Sequence, residues 1–196
     1  MGVGRVTAPS TVVEIVNPAT LRSRIDELGA QLASEYAGKV PVFVGILNGS
    51  VPFLADLTRS SDLELEVDFL GLTRFGEGGR VDIAYDCATD LTDRHVVLVE
   101  DIVDTGLTLS SLRGMIEIRR PASLTTVTLI DKSARRLVDV PLEYRGFEVG
   151  DEFLLGYGMD WENAYRHLPG LWAVMDFAAF VSDPGCLARA ALDVRQ

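Results

Sequence analysis

Residues 96–108 read Val96-Val97-Leu98-Val99-Glu100-Asp101-Ile102-Val103-Asp104-Thr105-Gly106-Leu107-Thr108, and this run decides the fold. Four apolar β-formers without alternation predict a strand buried on both faces of a parallel sheet. The strand is expected to stop at the adjacent carboxylates Glu100 and Asp101. A third acid, Asp104, follows, and Thr105-Gly106-Leu107-Thr108 opens a helix. Acids at the carboxyl end of a buried strand sit where open α/β sheets bind ligands. Small residues, backbone N–H groups, hydroxyls and a helix N-terminus just after them suit a phosphate.

Other readings of the same residues exist. Acids after a strand also solvate loops, and Asp104 alone would serve as a helix N-cap. A nucleophilic Asp-x-Asp-x-Thr motif does not fit the register of Asp101 and Asp104. An Asp-Thr-Gly of the aspartic-protease kind would need a second copy in an all-β chain. What survives is a ribose-phosphate site, with acids for vicinal hydroxyls and amides and hydroxyls for a terminal phosphate.

Composition agrees with a globular α/β chain. Its 196 residues are 47% hydrophobic with a mean hydropathy of +0.20, enough for one sizeable core and a single domain. No stretch approaches the roughly 18 uninterrupted apolar residues that span a bilayer. The start, Met1 to Pro9, lacks the apolar core of a secretory signal. Cys87 and Cys186 lie far apart without metal-ligand neighbours, so a reduced, cytoplasmic protein is expected. A formal net charge of −11 argues against a nucleic-acid partner, whose phosphates call for Lys and Arg. An acidic protein that handles a polyanion needs a divalent cation or a local basic cluster.

Along the chain, helices and strands alternate. A helix is expected over about Ala19–Tyr36, ended by Gly38, then a core strand at Val40–Ile46 and a helix to about Arg59. Strands are expected at Leu63–Leu72, Val81–Tyr85, Val96–Val99 and Leu124–Leu129, with a helix at Leu109–Arg119. Glu143–Phe147, Leu154–Gly156 and Leu171–Val174 read as short extended pieces, and Asp183-Pro184 begins a terminal helix in N-cap and N1 order.

The segment Val99 to Thr108 resembles the phosphoribosyl-pyrophosphate signature of type I phosphoribosyltransferases, in the form found among their hypoxanthine-guanine members, and the similarity runs from about Val42 to Val174. The resemblance implies a mainly parallel twisted sheet flanked by helices, with a small base-binding hood built from N-terminal residues and about 135–175. It implies transfer of a 5-phosphoribosyl group to hypoxanthine or guanine, with Mg2+, in purine salvage, by a homodimer or homotetramer. Glu100 and Asp101 would then hold the ribose hydroxyls and the metal. Asp104 would be the catalytic acid or base, and Thr105, Gly106, Leu107 and Thr108 would take the 5-phosphate.

Further segments carry the likeness. Leu47-Asn48-Gly49 corresponds to the pyrophosphate loop, with backbone amides exposed by an unusual peptide geometry; Asn48 departs from the usual Lys or Arg. Arg74-Phe75 stands where a mobile lid usually carries Ser-Tyr, and the Gly-rich loop to Gly79 is a few residues short. Lys132 corresponds to the lysine that donates to a 6-oxo group. An ammonium cannot accept a hydrogen bond, so it selects a keto oxygen over an amine. In Asp151 to Trp161, Phe153 would stack on the purine, the Leu154 backbone would read its edge, and Asp160 would complete the pocket and hold the metal through water. Ile102 would line the base, and Arg136 and Arg166 would meet pyrophosphate. The departures at Asn48, Arg74 and Phe75 keep xanthine or a 7-deazapurine open as the base. A non-catalytic nucleotide-binding regulator is the reading of another class. Met175 to Gln196 carries no assigned role beyond a subunit contact through an apolar helix.

Overall fold

The computed structural model describes residues 10–75 and 80–193, with 74–75, 80–82 and 192–193 described by backbone alone. The deciding run forms β5 (His95–Val103), inside a six-stranded sheet of order β4-β3-β2-β5-β6-β7. Strands β2 (Val42–Leu47), β3 (Glu66–Phe75), β5, β6 (Ser123–Asp131) and β7 (Tyr144–Glu148) run parallel to their neighbours, and β4 (Arg80–Tyr85) pairs antiparallel with β3. Helices α1 (Pro18–Glu35), α2 (Val51–Ser60) and α3 (Leu107–Glu117) alternate with the strands. The architecture is α/β with a mostly parallel sheet flanked by helices.

Burial explains the pattern. Val96, Val97, Leu98 and Val99 have no exposed surface, as expected for a central strand covered on both faces. Leu109, Leu112 and Ile116, on one face of α3, pack with Val42, Val44, Val96 and Leu98. Each such side chain, fully buried, contributes roughly 1.5–3 kcal/mol over its exposed state.

Among the boundaries that differ from expectation, two bear on the site. β5 does not end at Glu100. Its pairing with β2 stops at Gly45↔Val99, whereas its ladder to β6 continues through Ile102↔Ile130 and Val103↔Asp131. The acids therefore belong to a strand held on one side only, which leaves its other edge open. Helix α3 starts at Leu107, two residues earlier than expected, and its N-cap is Gly106 at φ 85° rather than Asp104.

Residues 19–151 form one compact unit, and the chain up to Pro18 joins the chain from Glu152 onward in a second. The segment from 135 to 151, expected in the hood, folds with the larger unit because β7 is the outer parallel strand of its sheet. The smaller unit holds an antiparallel sheet of order β1-β9-β8, from β1 (Val12–Val16), β8 (Phe153–Leu155) and β9 (Leu171–Val174). Its core gathers Val12, Leu155, Leu168, Trp172, Val174, Phe180 and Leu187. Helices α4 (Phe177–Ser182) and α5 (Gly185–Asp193) complete it. Neither β1 nor α4 is legible from the sequence pattern. No helix among the described residues is long and apolar enough to cross a membrane.

Asp68 on β3 fastens the connection that leads into β5. Its carboxylate is buried and accepts 2.8 Å hydrogen bonds from the Phe69 and Thr89 amides. Burial alone would raise its pKa, but the hydrogen bonds from Thr89, Phe69 and Ala88 outweigh it and hold the group below the ordinary value. A lowered folded-state pKa gives stability that is present above the unfolded value and is lost as pH falls through the folded one. Asp68→Asn should therefore lose about 1–3 kcal/mol at pH 7 in urea titrations. The gap from the parent should narrow below about pH 4. Equal midpoints at pH 7 would contradict the anchoring role.

Candidate active site

The turn after β5 is built around Gly106. Its φ of 85° lies in the left-handed region, and a Cβ there would fall 2.7 Å from the Val138 carbonyl oxygen and 3.0 Å from Arg136 Cδ. Only glycine meets both demands. The amides of Leu137 and Val138 donate to the Thr105 carbonyl at 2.9 and 3.2 Å, so the segment after β6 clamps the turn. The Leu107 amide reaches Thr105 Oγ1 at 3.4 Å. Leu107 is exposed and Thr108 half-buried. Gly106, the N-cap, has no side chain to cap α3, and apart from the long Thr105 contact at Leu107 that end suits an anion.

The acids meet the expected pyrophosphate loop here. A Cβ on Gly49 would lie 1.7 Å from Asp101 Oδ2, so Gly49 is the residue that lets this loop seat on the carboxylate. The Leu47–Asn48 peptide bond is cis, Asn48 is exposed and Gly49 buried. Ser50 Oγ donates to the Ile46 carbonyl at 2.6 Å, which closes the strand end below the loop. Glu100 is buried, and its pKa is driven well above the usual carboxylate range by burial and by the neighbouring Asp101 charge.

Basic groups come from the segment after β6. The stem of Arg136 lies against Gly106, and its Nη2 is bound to the buried carboxylate of Asp131, which also pairs with Arg145 Nη1 at 3.3 Å. Arg135 Nε stands 2.7 Å from Asp104 Oδ1, while its Nη1 pairs with Asp151. The Asp104 contact is an ion pair without hydrogen-bond alignment, so Oδ1 keeps no directed donor. Lys132 is buried just beyond β6, its amide donating to the Val103 carbonyl at 2.9 Å. Ile102 is half-buried opposite Ile130.

The orphans share a location. Among the described residues, the buried side-chain polar atoms without a hydrogen-bond partner are Glu100 Oε2, Asp104 Oδ1 and Arg136 Nη1. An unsatisfied buried polar atom costs about 1–3 kcal/mol, more for a charged group. All belong to residues that sequence reasoning assigned to the sugar phosphate. Glu100, Asp101, Asp104, Thr105, Gly106, Leu107, Thr108, Leu47, Asn48, Gly49, Ile102, Lys132 and Arg136 lie in the larger unit.

The remaining candidates lie elsewhere. In the smaller unit, Phe153 is 36% exposed and Leu154 is buried in β8 opposite Ala173. Asp160 and Arg166 are brought together at 2.8 Å. Asp160 Oδ2 also accepts from the Asn163 amide at 2.8 Å, and Arg166 donates to the Gly158 carbonyl at 2.6 Å. Arg74 and Phe75 end strand β3 instead of opening a loop, and Phe75 pairs with Arg80 of β4. Gly76–Gly79 of the expected lid lie outside the described residues. Among the described residues, no group of three or more His, Cys, Asp or Glu is gathered for a metal.

Sequence reasoning missed Arg135 and Asp131. Arg135 sits beside Arg136 in a basic run, and the doubled arginine was a usable signal. Nothing local marked Asp131 as the anchor of Arg136.

Comparison with known proteins shows the family. The phosphoribosyl transferase domain family matches residues 14–162. The hypoxanthine-guanine phosphoribosyltransferase of Streptococcus pneumoniae is 44% identical over 147 residues, covering 73% of this chain and 82% of that protein. The hypoxanthine phosphoribosyltransferase of Escherichia coli is 42% identical over 171 residues, covering 84% and 96%. Among solved structures, the hypoxanthine-guanine phosphoribosyltransferase of Bacillus anthracis superposes with a TM-score of 0.81 at 35% identity, covering 83% of this chain and 98% of that one.

The raised pKa of Glu100 has a measurable consequence. The folded state holds its proton above the pH at which the unfolded chain releases it, so this group's contribution to stability falls as pH rises through that window. Glu100→Gln removes the titration and keeps the shape. Its urea midpoint should exceed the parent's at pH 8, and the two should converge below about pH 4. Equal midpoints at pH 8 would contradict the burial of an ionisable carboxyl.

Proposed function

Because the chain belongs to the phosphoribosyl transferase family, we propose that it transfers the 5-phosphoribosyl group of phosphoribosyl pyrophosphate to hypoxanthine or guanine, releasing pyrophosphate in purine salvage. The observation that carries this reading is the set of three buried atoms without a directed hydrogen bond, on Glu100, Asp104 and Arg136 of the larger unit. Both signs of charge are represented, as a substrate with hydroxyls, phosphates and a reacting base would require.

The bond from ribose C1 to pyrophosphate breaks as a purine nitrogen bonds to that carbon, through an oxocarbenium-like transition state. Glu100 and Asp101 orient the 2- and 3-hydroxyls. The Thr105–Thr108 amides and hydroxyls hold the 5-phosphate at the start of α3. Arg136, braced by Asp131, and Arg166 meet the pyrophosphate charge, which the exposed amide side chain of Asn48 does not neutralise. Asp104 exchanges the proton of the purine imidazole ring, once Arg135 yields its ion pair. Lys132 donates to the 6-oxo group and so disfavours a 6-amino base. We assign Phe153 to stacking on the purine, Ile102 to lining it and the Leu154 backbone to reading its edge.

The donor chemistry of Glu100 and Asp101 fits Mg2+, which is bound through one or two protein carboxylates and completes its shell with substrate oxygens and water. Glu100 and Asp101 would hold it, with Asp160 acting through water. When bound, it supplies positive charge to the departing pyrophosphate.

Pyrophosphate release measured with phosphoribosyl pyrophosphate, Mg2+ and a panel of purines should be fastest with hypoxanthine and guanine and negligible with adenine. Turnover led by xanthine or a 7-deazapurine would move the assignment to that base. Asp104→Asn should reduce kcat by roughly 10²–10⁴-fold while leaving binding of the product nucleotide near that of the parent. Turnover close to the parent's would remove the assigned role of Asp104.

A further inference from the structure

We infer that Phe177, on α4, is a positioning residue for the purine: with Trp161 it fixes the ring of Phe153 on which the base stacks, an inference that rests on the base-stacking reading of Phe153 above. The three rings form a closed set of edge-to-face contacts. Phe153 and Phe177 have centroids 5.5 Å apart at 63°, Phe153 and Trp161 5.8 Å at 84°, and Trp161 and Phe177 5.6 Å at 78°. Trp161 is in turn held by Phe180 at 5.5 Å and 84°, and Phe180 is fully buried. The set therefore leads from the core of the smaller unit out to Phe153.

The backbone brings Phe177 there. Phe153 lies opposite Val174 in the β8–β9 ladder. The chain leaves β9 at Met175, and Asp176 caps α4 by accepting from the Ala179 amide at 2.9 Å. Phe177 is thus the first residue of a helix that starts three residues after the partner of Phe153. It is 48% exposed, so core burial alone does not account for a phenylalanine at this position. It also lies beyond residues 14–162, the segment that the family matches, so one side of the contact comes from outside that segment while Phe153 and Trp161 lie within it.

The physical role is preorganisation. A stacking ring that rotates freely must be ordered when the base arrives, whereas a ring already held by two perpendicular neighbours loses less freedom. Removing one neighbour should weaken capture of the base and leave the handling of the sugar phosphate unchanged.

The test is steady-state kinetics on the full chain with Phe177→Ala, Phe177→Leu and Phe177→Tyr. Phe177→Ala should raise KM for hypoxanthine and guanine roughly two- to tenfold. KM for phosphoribosyl pyrophosphate and kcat at saturating base should stay at the parent's values. Phe177→Tyr should restore KM for the base, and Phe177→Leu, apolar but without a ring, should not. An unchanged KM for the base, an equal rise in both KM values, or full rescue by leucine would overturn the inference. If the parent released no pyrophosphate with any purine, the transfer reading itself would fail. Titration of the same variants with inosine monophosphate, followed by tryptophan fluorescence, then decides separately. Weaker binding by the alanine variant than by the tyrosine variant supports the role, and equal binding by all overturns it.

Discussion

Buried polar side-chain atoms without a directed hydrogen bond are the constraint around which this molecule is organised. Glu100 Oε2, Asp104 Oδ1 and Arg136 Nη1 are all taken out of water and left without a hydrogen bond, a condition that ordinary cores avoid. The surrounding fold must supply enough apolar burial to tolerate it, and the Val96–Val99 strand with α3 behind it does so. The cost sits at the carboxyl end of β5, where the pairing with β2 has ended and that with β6 continues. At this opened edge Glu100 Oε2 is left without a hydrogen bond.

The parts around these atoms are interlocked through close approaches that admit no side chain. Gly49 lets the cis loop seat against Asp101, and Gly106 lets Arg136 and the Val138 carbonyl close over the turn before α3. Arg136 is fixed from behind by Asp131, so one of its arms is committed and the other is presented. Arg135 adds a second layer, bridging Asp104 and Asp151. A half-exposed pair of this kind contributes little to stability.

Much of this was legible in the sequence because it rests on local rules. An unalternating Val96–Val99 run specifies a doubly covered strand, and Thr-Gly-x-Thr after acids specifies a helix start. Legibility failed where the deciding interaction is distant in sequence. The continuation of β5 past Glu100 depends on β6, some thirty residues later. The brief strand β1 exists because β9, from the far end of the chain, pairs with it. Asp131 looks like any residue at a strand end until Arg136 and Arg145 fold back on it. Helix α4 is short, and its identity depends on Phe180 reaching a core that Trp172 and Val12 help to build.

The most direct measurement is a crystal structure of the chain with phosphoribosyl pyrophosphate and Mg2+. The account predicts the 5-phosphate on the Thr105–Thr108 turn, and hydrogen-bond or metal partners for Glu100 Oε2 and Arg136 Nη1 supplied by the substrate or its ion. A sugar phosphate bound elsewhere, or bound there with those atoms still unpartnered, would contradict it.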